Sequence, residues 1–187
     1  MRSGARPSRL YLNLTDRCNL KCAHCIVDAP AKTSDGRALD MTAPVLERLR
    51  PYLAEALYVG LVHAGEPTIA PLLEPMLECL RAERRGGPAV VHLLTNGMTL
   101  SPERFLGLAS LGVRSLSFSI DGASAATNDA LRVGSRFEKL AALLPELSRV
   151  RRERGLDVRM GIAYTVTASN VHETADAVRM AAAAGLD

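Results

Sequence analysis

Three of the four cysteines in this chain, Cys18, Cys22 and Cys25, fall within eight residues and are spaced C-x3-C-x2-C. A closed structural zinc site usually takes four ligands in two separated pairs, and no second pair follows here. Thiolates that lie this close together in sequence also suit an iron–sulfur cluster. Three cysteines on a four-iron cluster would leave one iron open to a substrate or cofactor. From the spacing alone, buried cysteines and a zinc site completed by His24 or His63 remain alternatives.

Further polar motifs occur in order along the chain, each directly after an apolar stretch. They are Gly65-Glu66-Pro67, Thr95-Asn96-Gly97 and Ser119-Ile120-Asp121-Gly122, and Arg132 follows the last of them. Alternation along a strand places Ser117, Ser119 and Asp121 on one face, which indicates a polar cavity beside that strand. Asn96 is equally compatible with a binding role and with a simple turn.

The cysteine spacing, together with these motifs, resembles the radical S-adenosylmethionine (SAM) enzymes over roughly residues 10 to 187. The resemblance implies a 4Fe–4S cluster on Cys18, Cys22 and Cys25, with SAM bound at the open iron. Reductive cleavage of SAM would then release a 5′-deoxyadenosyl radical, which abstracts hydrogen from a substrate. His24 stands at the position that an aromatic residue usually takes in the family motif.

The same resemblance implies roles for the later motifs. Gly65 and Glu66 match a Gly-Gly-Glu-Pro motif that approaches the amino group of SAM, although Ala64 replaces its first glycine. Ser119 and Asp121 would contact the ribose or methionine part of SAM, and Arg132 its carboxylate. Asn96 is a further candidate for binding the cofactor or the substrate. The pattern identifies no residue as the final hydrogen donor, so the catalytic residues stay unknown.

Five strand–helix units are predicted in strict alternation, which indicates a parallel α/β sheet. The strands are expected at 10–14, 56–62, 89–94, 113–120 and 158–165. Helices are expected from Thr42 to about 54 with a bend at Pro51, at 71–84, from Ser101, at 137–154 with a kink at Pro145, and from Asn170 to 184 with Glu173 as capping partner. Residues 28–40 are predicted to be a connecting loop. The family resemblance narrows the fold to a partial (β/α)6 barrel over residues 10–187, incomplete at the C-terminal end, after a flexible leader at 1–9.

Composition limits the function classes. The chain has 187 residues, a formal net charge of +3 and 48% hydrophobic residues, which is typical of a globular domain. The sequence has no basic stripe interleaved with aromatic residues, the pattern that would predict nucleic-acid binding. No apolar run reaches the length of a membrane span. Clustered cysteines without an export signal favour the cytoplasm.

The partners expected for such an enzyme are a peptide or small-molecule substrate and an electron donor such as flavodoxin or ferredoxin. The alternative is a non-catalytic iron–sulfur or zinc-binding module on a degenerate barrel, which Ala64 and the missing sixth unit favour. An incomplete barrel would also expose an unpaired edge strand and promote association.

Overall fold

The computed structural model describes residues 7–84, 87 and 89–187. Seven strands and seven helices are formed within these residues. The strands are β1 (Arg9–Tyr11), β2 (Lys21–Cys22), β3 (Tyr58–Leu61), β4 (Val90–Thr95), β5 (Val113–Ser119), β6 (Arg132–Val133) and β7 (Arg159–Ala163). The helices are α1 (Ala29–Ser34), α2 (Ala43–Leu53), α3 (Leu73–Glu83), α4 (Pro102–Ser110), α5 (Ala125–Leu131), α6 (Phe137–Glu153) and α7 (Thr174–Ala183).

The main sheet has five parallel strands in the order β1-β3-β4-β5-β7, so each strand pairs with the next one of the βα alternation. This order confirms the predicted α/β architecture of five units and is consistent with a partial barrel. Apolar residues on one face of the sheet pack against the helices and form the core. Among them Leu93, Leu116 and Phe118 are fully buried. Every strand therefore delivers its carboxyl end to the same edge of the sheet.

Several helix boundaries follow from local chemistry. The Ser101 hydroxyl accepts a hydrogen bond from the backbone N–H of Arg104, 3.2 Å away, and Pro102 follows at the first helical position, as predicted. Thr42 occupies the cap position of α2, but its side chain makes no capping hydrogen bond. Helices α2 and α6 continue through Pro51 and Pro145. Among the residues described, no helix is long and apolar enough to cross a membrane.

Two further expectations about local structure were wrong. Residues 28–40 are not a plain loop, because α1 forms there with Pro30 in its first turn, where a missing N–H costs nothing. Asn170 does not cap α7 through a box with Glu173. A short 3-10 turn, Val171–Glu173, intervenes, and the Asn170 amide instead donates to the carbonyls of Asp121 and Thr165.

Of the leader predicted at 1–9, residues 1–6 lie outside the described residues. Strand β1 begins at Arg9, one residue earlier than expected. The carbonyl of Ser8 already accepts hydrogen bonds from the N–H groups of Leu57 and Tyr58. The last residues of the predicted leader thus belong to the sheet.

Candidate functional site

A cavity of about 330 Å³ opens at the carboxyl edge of the sheet. Nine of the ten residues proposed from the sequence line it: Cys18, Cys22, His24, Cys25, Gly65, Glu66, Asn96, Ser119 and Arg132. The tenth, Asp121, is fully buried and contacts two of the nine. The loops after four different strands therefore meet in one place, which is where ligands gather in parallel α/β folds.

Nitrogen donors from the cysteine loop and from two other segments point at two of the loop's sulfurs. The backbone N–H of Leu20 lies 3.5 Å from the Cys18 sulfur, and the Asn96 amide nitrogen lies 4.0 Å from the same atom. The Arg132 guanidinium lies 3.8 Å from the Cys22 sulfur. Donors and a cation at these distances favour the thiolate form, which is the form that binds metals.

Burial acts against the thiolates. It raises the pKa of Cys18 to about 11, and it also raises the pKa of Cys22, where the charge of Arg132 partly opposes the effect. Burial and the nearby donors therefore act in opposite directions on these two thiols. The described cysteines form no disulfide, so all three thiols of the loop are free.

A two-stranded antiparallel ribbon holds the middle of the cysteine loop. Strand β2 pairs with β6 so that Cys22 lies opposite Arg132. Next to this pair the N–H of Ala23 donates to the carbonyl of Leu131 at 2.9 Å. The ribbon fixes the position of Arg132 relative to Cys22, although 109 residues separate them in sequence.

Asp121 connects three parts of the site. One carboxylate oxygen, Oδ2, lies 2.6 Å from Nε of Arg132 and 2.9 Å from Nε2 of His24. The other, Oδ1, accepts a hydrogen bond of 2.6 Å from the N–H of Thr165, which follows β7. A carboxylate without solvent exposure needs such partners to remain charged. Asp121 is therefore directed at the cysteine loop and at Arg132.

Glu66 is also buried and fully engaged by the protein. Its Oε1 accepts hydrogen bonds from the N–H and hydroxyl of Thr68 and from the hydroxyl of Thr95, and its Oε2 accepts one from the N–H of Asn96 at 2.7 Å. The carboxylate thereby ties the loop after β3 to the end of β4. This network holds Asn96 beside the cysteine loop.

The residues before Glu66 explain why this turn contains a glycine. A Cβ atom on Gly65 would lie 1.9 Å from the carbonyl oxygen of Arg17, so no side chain fits there. The N–H of Gly65 donates to the carbonyl of Thr15 at 2.9 Å. Ala64, which replaces the first glycine of the family motif, adopts a left-handed conformation with φ of 64°. The backbone path suited to glycine is thus retained at Ala64, at the cost of local strain.

Asn96 and Ser119 differ in whether their side chains are already hydrogen-bonded within the protein. The Asn96 amide donates to Oδ1 of Asn19 at 2.7 Å and accepts from the N–H of Met98, so it supports the cysteine loop from β4. Ser119 lines the cavity from the end of β5, and its hydroxyl makes no hydrogen bond with the described part of the chain. Ser119 therefore has a donor and an acceptor available to a ligand.

Sequence reasoning missed the residues that support the site from outside. Thr33 on α1 accepts a hydrogen bond from the N–H of Cys18. Asn128 on α5 accepts one from the N–H of Asp121. Glu173 accepts from the N–H of Ala123 and from the hydroxyls of Ser124 and Thr127. Only the Ser124 cap of α5 had a local sequence signal, since the other contacts join distant segments.

Comparison with protein families identifies the chain. The model of the Radical SAM superfamily matches residues 12–185, nearly the whole sequence. The chain therefore belongs to the Radical SAM superfamily, whose members use a 4Fe–4S cluster and SAM.

Three curated relatives illustrate the range of its neighbours. The GTP 3′,8-cyclase of Synechococcus sp. (strain CC9902) is 36% identical over 118 residues, which are 63% of this chain and 33% of the relative. The pre-heme d1 synthase of Dinoroseobacter shibae is 31% identical, covering 94% of this chain and 40% of the relative. The mycofactocin maturase MftC of Mycobacterium tuberculosis is 31% identical, and the match covers 76% of this chain and 34% of the relative. The chain thus spans between a third and two-fifths of the length of these enzymes.

Solved structures show the same fold. SuiB of Streptococcus suis superposes with a TM-score of 0.71 at 17% identity, and the match covers 97% of this chain and 38% of SuiB. The structure of SuiB bound to S-adenosylmethionine superposes with a TM-score of 0.67 at 19% identity, covering 97% and 39%. These likenesses confirm the α/β fold of the barrel domain.

Proposed function

We propose that the protein is a radical SAM enzyme that holds a 4Fe–4S cluster on Cys18, Cys22 and Cys25 and binds SAM beside it. The observation that carries the proposal is the convergence of the cysteine loop with Glu66, Ser119 and Arg132 on one cavity. When bound, the cluster and SAM supply reductive cleavage to a 5′-deoxyadenosyl radical, which abstracts hydrogen from the substrate.

Several features of the site fit these groups. Three free thiols line the cavity, and N–H groups and a guanidinium point at two of their sulfurs. His24 lines the cavity, and its buried Nδ1 makes no hydrogen bond with the described residues, so the site has one unsatisfied polar atom. The hydroxyl of Ser119 is equally available. Polar atoms left over in this way are what a nucleoside-bearing cofactor needs.

We assign two kinds of role to the other residues. Ser119, His24 and Arg132 contact SAM, and Nη2 of Arg132, the guanidinium nitrogen that contacts neither Asp121 nor Cys22, is directed at its carboxylate. Asp121 orients Arg132 and His24 by its ion pairs. Glu66 and Asn96 hold the loops after β3 and β4. Gly65, which has no side chain, lets the backbone before the cysteine loop pack against it. The carboxylate of Glu66 therefore acts on the cofactor mainly through the backbone that it positions.

The substrate is proposed to be a peptide or a small metabolite. The relatives range from a GTP cyclase to a mycofactocin maturase, and one neighbouring structure is SuiB bound to the precursor peptide SuiA. The range of these names supports no single substrate. An electron donor such as flavodoxin or ferredoxin is expected to reduce the cluster.

The second candidate is a binding module, with iron–sulfur or zinc but without catalysis, and the strained Ala64 at the family glycine position favours it. Within the residues described, no group of three His, Cys, Asp or Glu side chains is arranged to hold a single metal ion. A zinc ion would therefore require the cysteine side chains to move together.

The experiment that tests the proposal is SAM cleavage by the anaerobically reconstituted protein with dithionite, followed by quantifying 5′-deoxyadenosine. The wild-type protein should form it, and Cys22→Ala should abolish it. Cys79→Ala is the matched control, because Cys79 lies on α3 away from the cavity. A reconstituted wild-type protein that holds iron but forms no 5′-deoxyadenosine would favour the binding module.

A further inference from the structure

The concave face of the sheet, opposite the helices, carries a row of polar and aromatic side chains below the cysteine cavity. Register places one residue of each strand in this row: Tyr11, Gly60, His92, Ser115 and Arg159. Ser115 and Ser119 are four positions apart along β5, which corresponds to about 13 Å. The row therefore forms a floor well beneath the cysteine loop.

One side of this floor is built from rings. The ring of Tyr11 lies 5.6 Å from that of Tyr58 and 5.8 Å from that of His63, and the rings of Tyr58 and His92 stack at 6.4 Å. Half of the tyrosines and half of the histidines of the chain are in this group. Because His63 also lines the cysteine cavity, the rings run continuously from the floor to the site.

Gly60 allows the rings to pack in this way. A Cβ atom at this position would lie 2.7 Å from a ring carbon of Tyr11, so the ring rests directly on the strand backbone. The Tyr11 side chain stays 54% exposed, which is unusual for a ring packed against a sheet. The accessible face of the Tyr11 ring thus forms one side of the floor.

The other side of the floor is open. In register with one another, Ser117 on β5 and Gly161 on β7 lie one level above the row, and a Cβ atom on Gly161 would meet nothing within 4 Å. The Ser117 hydroxyl makes no hydrogen bond with the described residues. A ligand group placed beside the rings therefore meets free space and an available hydroxyl.

Cations border the lower end of the floor. The Arg9 guanidinium lies over the ring of Tyr58, 5.9 Å from its centroid. Arg114, Asp157 and Arg159 line an adjoining cavity of about 440 Å³ with Tyr58 and His92. These three arginines outnumber the two nearby carboxylates, Asp157 and Asp187, of which Asp187 interacts with Arg159. Burial lowers the pKa of His92, whose Nδ1 forms a hydrogen bond of 2.8 Å with the Ser115 hydroxyl.

We propose that this floor is the substrate subsite of the enzyme and that it takes a planar ring bearing an anionic group, a carboxylate or a phosphate. The ring stacks on Tyr11, and the anion lies toward Arg9 and Arg159. The inference rests on the proposed function, because it makes the cavity above the floor the place of reaction. The inference adds to the proposed function the chemical class of the substrate, a planar ring with an anionic group.

The test measures binding of small probes to the 187-residue protein by ligand-observed NMR. 3-Phenylpropionate is compared with 3-cyclohexylpropionate, which has the same charge but no planar ring, and with the neutral 3-phenylpropanamide. We expect 3-phenylpropionate to bind about fivefold more tightly than either. Phenyl phosphate distinguishes the two anions. If it binds more tightly than 3-phenylpropionate, the substrate group is assigned as a phosphate, and if it binds more weakly, as a carboxylate. Equal binding of the planar and non-planar acids would overturn the proposal.

Two variants locate the probe. Tyr11→Leu should weaken binding of 3-phenylpropionate about fivefold, while Tyr52→Leu, an equivalent change at a 43% exposed tyrosine on α2, should leave it unchanged. Gly161→Leu should abolish binding by filling the open side, and circular dichroism shows whether this variant folds. Binding that survives both Tyr11→Leu and a folded Gly161→Leu would place the ligand elsewhere.

Failure of this inference is distinguishable from failure of the proposed function. Probe binding is measured without the cluster, and SAM cleavage is measured without the probe. A protein that cleaves SAM but binds no planar acid keeps its function and loses this subsite.

Discussion

The two faces of the five-stranded sheet are built on opposite principles. The face toward the helices presents fully buried apolar side chains, such as Leu93, Leu116 and Phe118. The concave face presents tyrosine, histidine, serine and glycine in the same strands, and much of it remains accessible. One set of alternate residues in each strand therefore serves stability, and we assign ligand binding to the other set.

The carboxyl edge, where the two faces meet, is different again. There the stabilising contacts are buried charges, and Asp121 and Glu66 accept hydrogen bonds and ion pairs from four separate segments: the cysteine loop, the end of β4, β6 and the segment after β7. Stability and site geometry are coupled at this edge, whereas they are separate on the two faces. Substitutions at the three places should consequently have different effects.

The largest effect is expected from a substitution on the helix-facing side. Phe118→Ala should lower the free energy of unfolding by about 3–5 kcal/mol, because it leaves a cavity in the core. Its strand neighbour on the concave face provides the control: Ser117→Ala should change stability by less than about 0.5 kcal/mol. Urea unfolding measures both. Similar losses for the two variants would contradict the division of labour between the faces.

The next largest effect is expected at the edge. Asp121→Asn should cost about 2–3 kcal/mol, because the guanidinium of Arg132 is then buried without its counter-charge. It should also alter the rate at which Cys22 is alkylated in the metal-free protein, as read by mass spectrometry. Asp35→Asn breaks an exposed pair with Arg37 and should cost almost nothing. An unchanged Cys22 rate in Asp121→Asn would remove Asp121 from the support of the cysteine loop.

A smaller, pH-dependent effect is expected for Glu173. The hydrogen bond from the Thr127 hydroxyl, together with those from Ala123 and Ser124, lowers the pKa of this carboxyl in the folded protein. Its contribution is therefore complete above the ordinary glutamate pKa and is lost as the pH falls through the folded value. Glu173→Gln should cost about 1 kcal/mol at pH 7 and progressively less below about pH 4. A cost that is independent of pH would contradict this account.

The smallest effect is expected at Ala64, and its sign is opposite. Ala64→Gly should stabilise the protein by about 0.5–1 kcal/mol, since glycine adopts the left-handed conformation without strain. Ala182→Gly, at an exposed position in the right-handed helix α7, should destabilise it by a similar amount. Thermal unfolding compares the two, and destabilisation by both changes would show that Ala64 is not strained.

The sequence predicted the helix-facing side well and the edge only in outline. Apolar runs punctuated by glycine and proline located the five strands of the sheet, and the Ser101-Pro102 signal located the start of α4. Helix α5 and the β2–β6 ribbon were missed because short elements carry too little periodicity. The partners of Asp121 were hidden as well, because His24 and Thr165 lie far from it in sequence.

The site residues were predicted from a resemblance and not from physical pattern alone. Chain order showed that the motifs follow successive strands, and parallel topology then required them to share one edge. The engagement of Glu66 by Thr68 and Thr95 could not be predicted, since it depends on the exact approach of two loops.

The most direct test of the central claim is electron paramagnetic resonance of the anaerobically reconstituted, reduced protein with and without SAM. We predict the signal of a reduced four-iron cluster that changes when SAM is added, because the three cysteines leave one iron for the cofactor. A cluster signal that is indifferent to SAM, or zinc bound in place of iron, would contradict the assignment of this cavity to radical SAM chemistry.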